Sequence, residues 1–294
     1  MPRPILSFDT SAINALHRDA KFSVPLIAGV TSSYFVRLNG TVVDEVIACQ
    51  SGREREELRR LCRRMLVEGR GDVLLPFHEI TRKVALAFDG GRSLDFRRID
   101  VGSKDYERFI RQSDVSEYED IFGDQRRAAE RVNAQFEKLF FSPRLGIQKL
   151  FADSEVPRVV SAAELLKSYQ IAGGFYWTTA IGLHERASGR KVDEQTIGKL
   201  VESNAPFRAL MAAIVVSLYH RCVLEEPPTL AGRSDVFMAV YLPFCDEFIS
   251  NDHAQQTALR EIVTLAGLPT KIRWYKEFAD SFSLSVAGHP AREA

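Results

Sequence analysis

Four acidic residues, Asp9, Glu45, Asp235 and Asp252, are the positions in this chain whose types and spacing could do chemistry. Asp9 closes the apolar stretch "ILSFD" and is followed by Thr10 and Ser11, and Asp252 closes "EFISND" after Ser250 and Asn251. Both stretches read as short buried strands. In a parallel sheet the carboxyl ends of strands lie side by side, and ligands bind in the crevice beyond them. Two carboxylates aimed at one point repel, which raises their pKa values unless a cation stands between them. Glu45 projects from the first turn of a helix read in "TVVDEVIAC", where Val42, Val43, Val46 and Ile47 bury the other side. Thr41 and Asp44 fit a capping box, which accounts for Asp44 and leaves Glu45 without a local role. Asp235 opens a helix read in "SDVFMAVYLPF", where its local role is to complement the helix dipole. Four acids with no nearby His or Cys make an all-oxygen site, the chemistry of Mg²⁺ or Mn²⁺. Such ions bridge phosphate oxygens and lower the pKa of a bound water.

The elements that must position these acids come in two textures. Over the first ninety residues strands alternate with helices: "ILSFD", the helix "SAINALHRD", the β-rich "SSYFVRL" and a turn at Asn39-Gly40. The helices "TVVDEVIAC" and "REREELRRLCRRMLVEG", the strand "DVLLP" and the helix "HEITRKVALAF" follow. Residues 95–228 read as helices only, and after Pro227-Pro228 the alternation returns with "SDVFMAVYLPF", "EFISND", "QQTALREIVTLAG" and a last strand in "TKIRWYKEF". The pattern predicts an α/β fold with a central, mostly parallel sheet flanked by helices. Its expected organisation is a core split into 1–94 and 229–294, the second part carrying a C-terminal tail, by an all-helical insertion over 95–228.

Thirty-nine basic and 39 acidic side chains balance among 294 residues, which argues against a long non-specific grip on nucleic acid but not against a local basic groove. Cys49, Cys62, Cys222 and Cys245 form no CxxC pair, and so read as reduced, buried residues rather than as a disulfide framework or zinc site. With no charged-then-apolar leader before "ILSFD", a cytoplasmic location is expected. The stretch "ALMAAIVVSLY" is too short to span a membrane, so no membrane association is expected.

These elements together resemble the PIN domain, a three-layer nuclease fold with an acidic, metal-binding cleft. The motifs that carry the resemblance are "ILSFDTSAINAL", "TVVDEV" and "SDVFMAVYLPFCDEFISND", in that order. Carried over residue by residue, it implies Asp9, Glu45, Asp235 and Asp252 as catalytic, metal-coordinating residues for one or two ions. It implies Ser250 and Asn251 as supporting groups, and Thr10 or Ser11 near the scissile phosphate or a metal-bound water. The activity implied is endonucleolytic hydrolysis of a phosphodiester, with RNA placed ahead of DNA as the partner. A DNA or structure-specific nuclease, and a catalytically silent scaffold that binds RNA or protein, are the other readings of the same resemblance. The gap between Glu45 and Asp235 is longer than in compact toxin ribonucleases of the family, and the helical insertion occupies it. A homo-oligomer and an inhibitory protein partner are both left open by the residues.

Other candidates are weaker. "REREELRRLCRR" carries six arginines and three glutamates at helical spacing. It reads first as a solvated face with paired charges, and second as a nucleic-acid path through Arg59, Arg60 and Arg63. Phe175, Tyr176 and Trp177 read as core, as do His184 and His220 inside apolar helices. Asp246 is the substitute acid should Asp235 be misplaced.

Overall fold

A computed structural model of the chain describes residues 2–19, 23–49, 51–92, 101–112, 138, 140–152, 159–226 and 236–287. Asp235 and residues 113–137 of the segment read as helices lie outside the described residues.

The strands are β1 (Ile5–Phe8), β2 (Phe35–Leu38), β3 (Asp72–Val73), β4 (Glu247–Ser250) and β5 (Lys271–Trp274). They form one five-stranded sheet in the order β3-β2-β1-β4-β5, every neighbouring pair parallel. Leu6 lies opposite Glu247, and Phe8 opposite Ile249. Side chains alternate across the pleat as a period of two requires. Leu6, Phe8, Val36, Leu38 and Ile249 face one core, while Phe248 and Leu74 face another.

The first core is covered by α1 (Thr10–Arg18), α2 (Ser23–Ser33), α3 (Gly40–Ala48), α4 (Gly52–Glu68), α6 (Lys104–Arg111) and α13 (Tyr275–Ala287). The second is covered by α5 (Phe77–Asp89) and α12 (His253–Ala266), with α7 (Phe141–Ala152), α8 (Ala162–Ser168), α9 (Gln170–Ser188), α10 (Glu194–Ser203) and α11 (Ala205–Cys222) packed outside and between them. Helices α7–α11 of the middle segment therefore share one continuous core with the sheet. The layers are helix, sheet and helix, with extra helices on one side, which is the α/β architecture expected. No single helix among the described residues is long and apolar enough to cross a membrane.

Four local expectations change. A helix, α2, fills residues 23–33 ahead of β2; its sequence, SVPLIAGVTSS, is apolar nearly all round and gives no amphipathic stripe. The stretch after Asp235 is mainly a 3₁₀ helix, Met238–Phe244, with Pro243 inside it. The final strand stops at Trp274, and Tyr275, Phe278, Ala279 and Phe282, at i, i+3, i+4 and i+7, instead open the apolar face of α13. Finally, α3 begins at Gly40 and is capped by Asn39, whose side chain accepts from the Val42 N–H at 3.0 Å. The Thr41–Asp44 capping box does not form; Asp44 instead accepts from the Tyr106 hydroxyl. Gly40 is required by a close approach rather than by a turn, since a Cβ there would stand 2.8 Å from both the Leu75 carbonyl and the Tyr241 hydroxyl.

Candidate metal centre

The chain runs from β1 outward to β2 and β3, then returns to the other side of β1 as β4. The order reverses between β1 and β4, and the crevice beyond the carboxyl ends of two such strands is where doubly wound sheets bind ligands. Asp9 and Asp252 stand at that point.

Asp9 is the residue after β1, 1% exposed, and its backbone N–H bonds the Ile249 carbonyl of β4 at 2.9 Å. Its Oδ1 accepts from the Ala12 N–H and the Ser11 hydroxyl, both at 2.7 Å, so it caps α1. The Ser11 hydroxyl in turn accepts from the Asn251 N–H at 2.8 Å, which ties α1 to the end of β4. Asp9 Oδ2 is screened from solvent and has no hydrogen-bond partner. The Thr10 hydroxyl and Asn14 Oδ1, one turn apart on α1, are screened and unpartnered in the same way. Ser250 is fully buried; its hydroxyl accepts from the Asp252 N–H at 3.1 Å and donates to the Asp252 carbonyl at 3.3 Å. Asp252 itself is exposed and caps α12, its Oδ1 accepting from the Gln255 N–H at 2.9 Å.

Asn39 completes the edge. It is wholly buried at the end of β2, and its amide donates to the Phe8 carbonyl at 2.7 Å while its oxygen caps α3. Three strands thus end in an Asx residue that starts a helix, and the N-termini of α1, α3 and α12 open on one edge of the sheet. Such N-termini carry partial positive charge and favour anions.

Burial raises the Asp9 pKa above its ordinary value; bonds from Ser250, the Ala12 N–H and Ser11 work the other way, and the nearby Asp252 charge adds to the rise. Between the ordinary and the raised value the folded state holds more protons than the unfolded one. Stability therefore falls as pH rises through that window and is greatest below it. The expected outcome is that cation-free protein loses stability from about pH 4 upward relative to Asp9→Asn, the ordinary Asp value being ~3.9. Urea unfolding of both proteins across pH checks this, and a difference that is flat with pH would refute the assignment.

The structure brings together Asp9, Asp252, Ser11, Ser250 and the Asn251 backbone. Glu45 stands half-buried in the second turn of α3, a helix that packs on α1. Among the described residues no three Asp, Glu, His or Cys side chains form a group able to hold an ion unaided. Asp246 is excluded as a substitute: it bonds the Ile5 N–H at 2.7 Å, at the opposite, amino edge of the sheet.

The arginine reading changes at Arg59. Arg59 is 1% exposed, pairs with Glu56 at 2.8 Å and donates to the Phe109, Ile110 and Gln112 carbonyls, so it is a strut between α4 and α6. Arg60 also pairs with Glu56, and Arg63 is exposed.

Sequence reasoning missed Asn39 and Asn14, and also His253, whose ring stacks on Trp274 at 3.7 Å directly after Asp252. The signal for Asn39 was its position, an Asx residue straight after an apolar strand, as at Asp9. A Ser188–His184–Asp89 chain of contacts, at 3.5 and 2.9 Å, resembles a nucleophilic triad. Its histidine is fully buried and joins α9 to α5, out of reach of any substrate.

No family profile, curated protein or solved structure matches the chain.

Proposed function

We propose that this chain is a metal-dependent, PIN-like endonuclease that hydrolyses phosphodiesters, RNA ahead of DNA. The observation that carries the reading is the unpartnered Oδ2 of buried Asp9 beside Asp252, at the sheet's switch point. A lone buried carboxylate oxygen is costly, and a hard cation is the partner that relieves both its desolvation and its repulsion from a second acid. The same strand order also serves dinucleotide-binding sheets, but the turn after β1 reads Asp9-Thr10-Ser11, where a pyrophosphate needs glycines.

The residues present fit Mg²⁺ or Mn²⁺ because every donor is oxygen: Asp9 Oδ2 and the Asp252 carboxylate first, with Glu45 and Asp235 as the further acids proposed. A bound ion of this kind supplies a water of lowered pKa and polarises phosphoryl oxygens. Ser11 and the Ala12 N–H hold the Asp9 carboxylate in one orientation, so no reorganisation is needed when substrate arrives. The open ends of α1, α3 and α12 favour the negative phosphodiester.

The test pairs calorimetric Mn²⁺ titration with cleavage of RNA, single-stranded DNA and flap substrates, with and without chelator. Saturable Mn²⁺ binding and chelator-sensitive RNA cleavage are expected. DNA-only or flap-only cleavage would reassign the substrate, and absence of saturable binding would leave a silent scaffold.

A further inference from the structure

Beside the acid pair, at the carboxyl edge of the sheet, two aromatic rings lie face to face. Trp274 ends β5, and the register of the parallel strands sets it opposite Ser250 at the end of β4. Phe248 and Ile272 precede these two on the same side of the pleat and pack into the core beneath α12. Trp274 is the last residue on that side, half-buried where the core gives out. His253 is the first residue of α12, and its ring centre lies 3.7 Å from that of the indole, at an interplanar angle of 12°. With one face against the indole, His253 remains exposed, directly after the exposed Asp252.

Packing alone does not require a histidine here, since an aliphatic side chain would cover the indole as well. Two flat rings held parallel are instead a surface for a third. An unpaired base supplies one, because every base has a π-face. The surroundings fit the rest of a nucleotide. Asp9 Oδ2, buried and without a hydrogen-bond partner, marks the place of the cation that would hold the phosphate. The 14-residue α12 opens at the same edge, and a helix N-terminus favours a negative group. His253 follows Asp252 without a gap, so the base attached to a phosphate at the acid pair has this platform beside it. Bases inside a duplex are already stacked on both faces by their neighbours, so only a single strand can use it.

We propose that the His253–Trp274 stack is the platform for the base adjoining the scissile phosphate, which makes this a site for single-stranded nucleic acid. The proposal rests on the nuclease reading for the position of the phosphate, but its test does not need cleavage. A short dye-labelled RNA of mixed sequence is titrated with protein in the presence of chelator, and binding is read by anisotropy. The same strand annealed to its complement is the control. Saturable binding, tighter for the single strand than for the duplex, is expected. His253→Leu, which still covers the indole, should weaken single-strand binding about 5-fold or more, while His253→Phe should keep it within about 2-fold of the parent. Both variants should melt with the parent, because the side chain is exposed. With Mn²⁺ present, His253→Leu should raise KM for the RNA and leave kcat unchanged. No saturable binding, equal affinity for strand and duplex, affinity untouched by His253→Leu, or equal loss in His253→Phe would overturn the platform, whatever the cleavage assay gives. Binding that meets these expectations in a protein with no nuclease activity would instead sink the nuclease reading alone.

Discussion

Asp9→Asn should cut phosphodiester hydrolysis at least about a hundredfold and abolish Mn²⁺-induced stabilisation, while the cation-free protein melts no lower than the parent. Asparagine has the same shape and keeps an oxygen to accept from the Ala12 N–H and Ser11, so the cap on α1 survives. What disappears is the charge on Oδ2, the atom with no partner inside the chain. Because burial raises the Asp9 pKa, the ionised carboxylate destabilises the fold at neutral pH, and neutralising it removes that cost. Loss of activity with gain of thermal stability is a joint signature that a purely structural role would not give. Circular dichroism melts with and without Mn²⁺, beside single-turnover cleavage, measure both. Parental cleavage by Asp9→Asn would end the metal-site proposal.

The second large effect concerns stability alone. Arg59→Ala should lower unfolding free energy by about 2–4 kcal/mol, because it strands carbonyls at the end of α6 and removes a buried guanidinium from its Glu56 pair. Arg60→Ala, on the same helix and paired with the same glutamate but 72% exposed, should change it by no more than ~0.5 kcal/mol. Denaturant unfolding of the two variants separates them. Equal, small effects would mean that Arg59 is not the strut described.

The parallel strands, the alternation of strands with helices and the strand-end positions of Asp9 and Asp252 were legible in the sequence. Short apolar runs ending in an acid before a helical stripe carry that information locally. Residue by residue, the reading failed where the outcome depended on a distant partner. Asp44 has a local capping role on paper, yet Tyr106, 62 positions away, takes it. Arg59 sits in a helix of surface charge, yet its side chain is enclosed once α6 packs on α4. Tyr275 reads as one more residue of a strand, yet it begins α13 and packs into the first core.

What the sequence by itself determined is the class of fold and the two acids that end β1 and β4, because alternation and strand-end chemistry are short-range properties. Only the tertiary structure decided which oxygens lack partners, which arginine is buried and that two aromatic rings stack beside the acids. Those features exist only between elements far apart in the chain, where desolvation and hydrogen-bond satisfaction are settled by what packs against each side chain.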